Sequence, residues 1–244
     1  MAIDFRNIIL TGGSGLLGTE IKNQVPEIQA PPHDQFDVEN YGAMDEWISK
    51  SECTTLIHAA AFTSPPKAEE EPMRAISANI IGTANIVRVC SKHDLRLVYL
   101  STDYVFSGDR GNYSEDDALN PQNLYAWSKL GGECSVKMYA KSLIIRTSFC
   151  EQVFPHDKAF IDQFTSRDSV KVITPMILDV AFREDLTGTI HVGTERKTVK
   201  NLAIKLGKTD VGELMRDDVS FKVPFDTSLN LDRLKTIKNK DSDS

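Results

Sequence analysis

The sequence predicts an α/β protein whose N-terminal part is a doubly wound parallel sheet, and three observations lead to this prediction. Short apolar runs typical of strands alternate with longer helical patterns up to about residue 150. The first run leads directly into a glycine-rich turn and then into a helical pattern. Hydrophobic residues make up 41% and charged residues 26%, as in ordinary globular domains. Strands that alternate with helices need crossover connections, and these connections produce a parallel sheet covered by helices.

The predicted elements of this first region follow one another in a regular order. Strands are expected at residues 8–10, 55–60, 95–101 and 143–147, and helices at residues 16–24, 41–51, 74–93 and 125–141. Residues 25–37 are less regular, because Pro26, Pro31 and Pro32 leave room for only a very short strand. We therefore expect a doubly wound unit with an irregular connection after its first helix.

The pattern becomes looser after Thr147, and we expect a small, shortened C-terminal lobe there. Helices are predicted at residues 159–167, 177–186 and 199–206, and a strand at residues 189–192. A chain of 244 residues suits one large domain with a small appendage. The predicted boundaries are residues 1–150 for the first domain, 151–237 for the lobe and 238–244 for a disordered tail.

Charge, cysteine content and hydropathy exclude several classes of function. The net charge is -7 and basic residues are not clustered, which argues against a nucleic-acid surface. The four cysteines show no Cys-x-x-Cys spacing, as expected for buried free thiols in a reducing compartment. No segment approaches the ~20 apolar residues of a membrane span, and the N-terminus does not look like a secretory signal. The sequence therefore predicts a cytoplasmic protein that binds small molecules and neither nucleic acid nor membrane.

Regularly spaced glycines follow the first predicted strand, in the segment Thr11-Gly12-Gly13-Ser14-Gly15-Leu16-Leu17-Gly18. Gly12, Gly15 and Gly18 would permit a tight turn, close approach of the backbone to a pyrophosphate, and close packing of the helix on the sheet. The phosphates would bind at the helix N-terminus, where unpaired N–H groups and the helix dipole favour anions. A glycine-rich turn without a ligand stays open as the alternative, because short glycine motifs often occur by chance.

Tyr125 and Lys129 stand four residues apart in a predicted helix. This spacing puts both side chains on one helix face, roughly 5–6 Å apart at Cβ. A lysine ammonium held there lowers the tyrosine pKa from its ordinary value near ~10 and makes the phenol a usable acid near neutral pH. Two exposed residues on a helix would show the same spacing, so the pair needs support from other motifs.

Two further predicted strands end in residues that suit a ligand, since ligands of open parallel sheets bind beyond the carboxyl ends of the strands. Thr102 follows one of these strands and could hydrogen-bond a substrate carbonyl, or it could cap a turn. Residues 59–61 are three alanines at the end of another, where a flat dinucleotide could contact the backbone; close packing of strand and helix is the alternative. We expect His58, which ends an apolar run, to be a core histidine. We find no metal-ligand cluster in the sequence.

Together these motifs resemble the extended short-chain dehydrogenase/reductase superfamily, whose nucleotide-binding domain is Rossmann-like. The resemblance rests on the glycine turn, the alanine-rich strand end, the segment Ser101 to Phe106, and Tyr125-x-x-x-Lys129-Leu130-Gly131-Gly132-Glu133. Within the superfamily the chain is most similar to the dTDP-4-dehydrorhamnose reductase family. The likeness covers residues 5–150 well and the remainder loosely.

The resemblance implies an NAD(P)H-dependent reductase that transfers a hydride to a nucleotide-linked 4-keto-6-deoxy sugar. It assigns Thr102, Tyr125 and Lys129 as the catalytic residues. It implies cofactor contacts from Gly12, Ser14, Gly15, Leu16, Leu17, Gly18, Asp37, Val38, Ala59, Ala60, Ala61, Thr63, Asn79, Tyr125 and Lys129. It implies substrate contacts from Thr63, Thr102, Asp103, Tyr104, Val105 and Phe106. NADP(H) is favoured over NAD(H), and homodimers are common in the superfamily.

Two other functions stay open at the level of the sequence. One is an epimerase or dehydratase acting on a nucleotide sugar, although dehydratases usually have acidic residues directly after the catalytic threonine and this chain has Asp103 followed by Tyr104. The other is a non-catalytic NADP-binding regulatory subunit, because the regulatory β subunit of methionine adenosyltransferase resembles the same reductases. The short lobe after Thr147 suits this second alternative, whereas the presence of all three catalytic residue types favours an enzyme.

Overall fold

The computed structural model describes residues 4–219 and 222–242. From residue 4 to residue 147 its secondary structure alternates between strands and helices. The strands are β1 (Ile8–Thr11), β2 (Thr55–His58), β3 (Arg96–Thr102), β4 (Ser142–Thr147), β5 (Phe149–Cys150), β6 (Lys158–Phe160), β7 (Phe164–Thr165), β8 (Asp168–Ser169), β9 (Gly188–Val192), β10 (Lys197–Thr198) and β11 (Gly212–Leu214). The helices are α1 (Leu16–Gln24), α2 (Tyr41–Ser49), α3 (Pro65–Glu70), α4 (Pro72–Ala75), α5 (Gly82–Lys92), α6 (Leu124–Val136), α7 (Val170–Ala181), α8 (Val199–Lys205) and α9 (Asp232–Ser242). A π-helical segment, Ile76–Ile81, joins α4 to α5.

The central sheet has five strands in the order β1-β2-β3-β4-β9. β2 pairs in parallel with both β1 and β3, with Thr55 opposite Ile8 on one side and opposite Arg96 on the other. Every residue of β1 and β2 is buried, as expected for parallel strands that are covered on both faces. The core of this region joins strand residues Ile9, Leu56 and Leu97 to helix residues Met44, Ile48, Ile86 and Val89. The predicted α/β class with a parallel sheet is confirmed.

The chain folds into two compact units that differ from the predicted division at residue 150. The first unit contains residues 4–101, 123–145 and 177–189, and the second contains residues 102–122, 146–176 and the described residues from 190 onwards. The segments of the second unit begin at Thr102, Arg146 and Ile190, which lie within β3, β4 and β9. Parallel strands release their connections at the same edge of a sheet, so one unit can be gathered from several separate segments. A single boundary along the sequence therefore could not describe it.

Residues 159–167 were predicted to be helical, and this prediction is wrong. The segment contains β6, which pairs in parallel with β11, and β7, which pairs with β10 in antiparallel fashion. Its short apolar run fits a helix or a strand equally well by spacing. The deciding contacts come from partner strands more than 30 residues further along the chain, which local periodicity does not detect.

Three other boundaries also differ from prediction. The helix expected at residues 177–186 is α7, which begins at Val170 and ends at Ala181, with Pro175 accommodated inside it. Residues 238–242 were expected in a disordered tail but continue α9, which the buried Leu234 anchors; residues 243 and 244 lie outside the described residues. The very short strand expected in residues 25–37 is reduced to an isolated bridge between Ile9 and Gln29.

Candidate functional site

The glycine-rich turn between β1 and α1 has a geometry that larger residues would prevent. Gly12 has φ +74°, and a Cβ atom there would lie 2.6 Å from the backbone nitrogen of Ala60. A Cβ atom on Gly18 would overlap the carbonyl oxygen of Gly12. Gly15 is the N-cap of α1 and provides no side-chain cap, so the N–H groups of the first helical turn stay available for an anion. This cradle fits the pyrophosphate of a dinucleotide, and its use for that purpose stays a prediction.

Other residues of the expected cofactor set lie after β1 and β2. Ala59, Ala60 and Ala61 are partly exposed and Thr63 is exposed, so this segment is accessible to a ligand. In the turn itself, Ser14, Gly15 and Leu16 are exposed, whereas the side chain of Leu17 is buried in the core. Of the pair expected near the adenine, Asp37 is partly exposed and Val38 is buried. Leu17 and Val38 could therefore contact a cofactor mainly through their backbone atoms.

Asn79 lies in the π-helical segment and connects two parts of the first unit. Its side chain is buried, accepts a hydrogen bond from the Phe62 backbone N–H (2.8 Å) and donates to the Phe62 carbonyl (3.0 Å). It also donates to the Ser128 hydroxyl at 2.8 Å. Asn79 therefore fixes the segment that follows β2 relative to α6, next to Lys129. Isolated π-helical turns are often found at functional sites.

Lys129 is buried, with 4% of its surface exposed, and its ammonium has a fixed position. Its Nζ donates to the Leu100 carbonyl at 2.8 Å and lies 4.3 Å from the centre of the Tyr99 ring. Burial lowers the pKa of Lys129 from 10.5 to about 7, and the nearby Glu133 carboxylate opposes this shift. A lysine with such a pKa can both stabilise a phenolate and exchange a proton near neutral pH.

Tyr125 lies one helical turn before Lys129 on α6, which confirms that the spacing is helical. The helix begins after Asn123, whose side chain accepts from the Ala126 backbone N–H at 2.8 Å. This cap places Tyr125 in the first turn, where it is partly exposed while Lys129 is buried. The two side chains share a helix face, on which Tyr125 is the more accessible residue.

Glu133 is a neighbour of Lys129 whose importance the sequence did not reveal. It is fully buried one turn after Lys129, and its Oε2 accepts from the Ser101 hydroxyl at 2.8 Å. Lys137 lies 3.6 Å from its other oxygen. One sequence signal could have identified Glu133, namely the repeated spacing of four residues from Tyr125 to Lys129 to Glu133. On a helix this spacing places the Glu133 carboxylate on the same face as the other two side chains.

Thr102 is the last residue of β3 and belongs to the second unit. Its buried hydroxyl accepts from the Tyr104 backbone N–H at 3.2 Å and donates to Asp103 at 3.3 Å, so it caps the short 3-10 helix Asp103–Val105. The capping alternative is thus correct as a structural description. The catalytic assignment of Thr102 together with Tyr125 and Lys129 stays a prediction.

The expected substrate residues after Thr102 differ in accessibility. Asp103 is buried and accepts from the Thr227 hydroxyl at 2.8 Å, and burial raises the pKa of its carboxyl although Arg167 opposes the shift. Tyr104 is partly exposed and hydrogen-bonded to Arg167. Val105 and Phe106 have buried side chains, so any contact they make with a substrate would have to come from their backbone. Sequence reasoning missed Arg167, because its neighbours lie about sixty residues away along the chain.

His58 is the core histidine that the sequence predicted. It is fully buried between two hydroxyl groups, with Nδ1 2.8 Å from Thr11 Oγ1 and Nε2 3.1 Å from Thr83 Oγ1. Burial lowers the pKa of His58 from 6.5 to about 3, with a smaller contribution from Lys129. The ring is therefore neutral under ordinary conditions and serves the packing of β2.

All four cysteines are free thiols, as expected. Cys53 and Cys90 are buried, but Cys134 is exposed and Cys150 is partly exposed, so the expectation of uniform burial is wrong.

Within residues 4–219 and 222–242, no helix combines the length and apolar character that a membrane crossing requires. The same residues contain no group of three or more His, Cys, Asp or Glu side chains arranged to hold a metal ion.

A surface cavity of about 840 Å³ lies elsewhere in the first unit. Its lining includes Arg6 and Asn7, which precede β1, together with Gln29 and Trp47. Ligands of parallel sheets bind at the carboxyl ends of the strands, whereas this cavity adjoins the amino end of β1. It contains none of the predicted site residues, and we do not assign it to the cofactor.

Comparison with known proteins supports the resemblance found in the sequence. Residues 6–198 match the family described as RmlD substrate binding domain. The dTDP-4-dehydrorhamnose reductase of Mycolicibacterium smegmatis is 33% identical over 152 residues, which cover 59% of this chain and 46% of that protein. The methionine adenosyltransferase 2 subunit beta of Rattus norvegicus is 28% identical over 145 residues, covering 55% of this chain and 43% of that protein. Each match thus spans about half the length of the relative.

A solved structure matches over nearly the whole chain. The dTDP-4-dehydrorhamnose reductase of Bacillus anthracis, in complex with NADP, has a TM-score of 0.85 and 26% sequence identity. The match covers 97% of this chain and 93% of that one. Because the family match extends over most of the sequence, the chain belongs to the RmlD substrate binding domain family.

Proposed function

We propose that this chain is an NADPH-dependent reductase that acts on the C4 keto group of a nucleotide-linked 6-deoxy-4-ketohexose. The observation that carries the proposal is the fixed, buried ammonium of Lys129, one helical turn from the partly exposed residue Tyr125. A lysine and a tyrosine placed in this way form a proton-donating pair. Relatives named dTDP-4-dehydrorhamnose reductase suggest the sugar and the nucleotide.

Each of these residues has a separate role in the proposed reduction. Tyr125 donates a proton to the oxygen that becomes an alkoxide, and Lys129 keeps the phenol acidic by favouring its ionised form. Thr102 is assigned to the same substrate oxygen by the resemblance. Gly12, Gly15 and Gly18 would hold the pyrophosphate of the cofactor at the N-terminus of α1. NADPH, when bound, supplies the hydride.

NADP(H) is our preferred cofactor over NAD(H). The Bacillus anthracis reductase, which is similar over almost the entire chain, was solved in complex with NADP. The glycine cradle fits the pyrophosphate of either dinucleotide, so the preference rests on this relative. Fluorescence titration of the purified chain with NADPH and NADH would compare the two Kd values directly.

Substitution of Tyr125 tests the proposal. We expect Tyr125→Phe to lower kcat by roughly 10² to 10⁴ when NADPH oxidation is followed with dTDP-4-dehydrorhamnose, because positioned acid catalysis typically contributes that much. The Kd for NADPH should change little. Tyr41→Phe, which removes the hydroxyl of a partly exposed tyrosine on α2, is the matched control. Unchanged turnover of Tyr125→Phe would remove this residue from the mechanism.

A regulatory subunit is the second candidate, and the similarity to methionine adenosyltransferase 2 subunit beta favours it. In that case the chain would bind NADP(H), show no turnover with any keto sugar, and co-purify with a larger enzyme.

An epimerase or dehydratase is the third candidate. It would convert a nucleotide sugar without net consumption of NADPH, so comparison of product formation with NADPH loss separates it from a reductase.

The oligomeric state and the cellular location of the chain are also proposed. We infer a homodimer, as is common in the superfamily, and a cytoplasmic location where nucleotide sugars are made; no role in nucleic-acid binding is proposed. Light scattering coupled to size-exclusion chromatography would give the mass of the particle. A mass near 27 kDa, the mass of one chain, would contradict the dimer.

A further inference from the structure

Glu133 is a buried carboxylate that has no role in the proton donation described above. Its side chain is fully buried on α6, the helix that also carries Tyr125 and Lys129. Burial removes the hydration of a carboxylate, and this loss is costly unless neighbouring groups offset it. A buried charge beside a proton-donating pair is therefore a candidate for a task in the reaction as well as for a structural one.

The recorded contacts of Glu133 favour its ionised form. Its Oε2 accepts a hydrogen bond from the Ser101 hydroxyl at 2.8 Å. Its Oε1 lies 3.6 Å from the Nζ of Lys137, one helical turn further along α6. A hydroxyl donor and an ammonium group both stabilise a carboxylate relative to the neutral acid. Glu133 thus places a negative charge at a fixed position inside the first unit.

Lys129 and Glu133 are attached to consecutive residues of β3. The Nζ of Lys129 donates to the Leu100 carbonyl at 2.8 Å, and the next residue, Ser101, donates to Glu133. The two side chains also leave α6 one turn apart on the same face. All four residues belong to the first unit. One strand and one helix therefore hold the two opposite charges near each other.

The other titratable groups around the Lys129 ammonium come from neighbouring elements. The ring centre of Tyr99 on β3 lies 4.3 Å from Nζ, and the ammonium contributes to the lowered pKa of His58 on β2. Burial raises the pKa of Tyr99 well above its ordinary value and lowers that of His58 to about 3, so both are neutral near pH 7. Glu69 on α3 contacts α6 at its first backbone N–H, more than one turn before Lys129. Glu133, in contrast, opposes the lowering of the Lys129 pKa that burial causes.

We propose that Glu133 is a positioning residue for the reduction: its negative charge keeps Lys129 in the ammonium form that makes Tyr125 a proton donor. This inference rests on the proposed function for the reaction itself. Glu133 lies two helical turns from Tyr125, about 12 Å along the axis, whereas Lys129 lies one turn from it. The direct repulsion between Glu133 and the phenolate is therefore weaker than the effect through Lys129.

An NMR titration of the free chain, with isotope-labelled lysine, tests the charge of Lys129. The Lys129 signal is assigned by its loss in Lys129→Met, and in the parent chain it should titrate near pH 7. Glu133→Gln keeps the volume and can still accept from Ser101, but it lacks the charge. We expect the Lys129 titration to move down by roughly one pH unit or more in this variant. Glu46→Gln, at an exposed glutamate of α2, is the matched control and should leave the titration unchanged.

The pH profile of kcat separates this role from a purely structural one. We expect kcat of Glu133→Gln, with NADPH and dTDP-4-dehydrorhamnose, to be roughly tenfold below the parent value at pH 8. At pH 5 the two values should be close, because the ammonium form of Lys129 is then nearly complete in both chains. A packing defect would instead lower kcat by a similar factor at both pH values.

Two results would overturn the inference: an unchanged Lys129 titration in Glu133→Gln, or an equal loss of kcat at pH 5 and pH 8. The titration needs no substrate. A chain that shows the expected shift but turns over no keto sugar would therefore overturn the proposed function and leave the control of the Lys129 charge by Glu133 standing. If Glu133→Gln does not fold, the double variant Ser101→Ala/Glu133→Met provides the same test, because it replaces both members of the hydrogen bond by apolar groups.

Discussion

In the first unit, the buried ammonium of Lys129 and the buried carboxylate of Glu133 each have a hydrogen-bond partner at 2.8 Å, whereas in the second unit the buried Nε of Arg167 has none. The buried side chains of Asn79 and His58, also in the first unit, have hydrogen-bond partners too. Groups that act on a proton need a fixed position before the substrate arrives, and internal hydrogen bonds provide it. The paired side chains of the first unit are thus held in place before any ligand binds.

Among the hydrogen-bonded buried side chains of the first unit, Lys129 should give the largest loss of activity when it is replaced, in the variant Lys129→Met. Methionine fills a similar volume and removes a buried charge, so we expect the chain to stay folded. The acidity of Tyr125 should fall, and kcat should decrease by roughly 10² to 10⁴. Steady-state kinetics and thermal unfolding would measure the two properties separately. Lys50→Met, at an exposed lysine, should change neither, and normal turnover in Lys129→Met would contradict the role of the ammonium group.

A smaller effect, on stability, is expected from Gly18→Ala. The added Cβ would overlap the carbonyl oxygen of Gly12 and push α1 away from the turn, at a cost of about 2 kcal/mol. Gly42→Ala in α2 is the matched control, because its Cβ would have ordinary contact distances. That change should stabilise the helix by roughly 0.5–1 kcal/mol. Urea unfolding of the two variants gives the comparison, and equal stabilities would mean that the turn is not closely packed.

The pH dependence of stability should report on the buried His58. Its pKa is about 3 in the folded chain and about 6.5 when unfolded, so the unfolded state binds an extra proton between these values. Stability contributed by the neutral ring is thus complete above pH 6.5 and is lost as the pH falls, by at most ~1.4 kcal/mol per pH unit. Urea unfolding at pH 7 and pH 5 would measure the loss. In His58→Gln this contribution should disappear, and an identical pH dependence in that variant would exclude His58 as its source.

Features determined by neighbouring residues could be predicted from the sequence. The turn at Gly12 to Gly18 depends on close backbone contacts within a few residues, such as that between Gly18 and Gly12. The spacing of Tyr125 and Lys129 depends only on the helix that carries them, and His58 is buried because it follows apolar residues of a strand that is buried throughout. The local pattern alone was sufficient in each of these places.

Features determined by distant partners could not be predicted in this way. β6 depends on β11, and the surroundings of Arg167 depend on Tyr104, about sixty residues earlier. The second unit is collected from segments after three different strands, so its boundary does not appear at any single position. The exposure of Cys134 could not be predicted either, because the direction in which each side of α6 faces is set by tertiary packing.

The π-helical segment Ile76–Ile81 has a consequence for how related chains are compared. A π-helical turn holds about one residue more than an α-helical turn, so it shifts the helix that follows by roughly 100° relative to a continuous α-helix. Buried positions nevertheless recur every three or four residues, from Ala75 to Asn79, Gly82 and Ile86, so the sequence pattern does not reveal the wider turn. An alignment or redesign that treats residues 72–92 as one uniform helix would give α-helical hydrogen bonds to a segment that is π-helical.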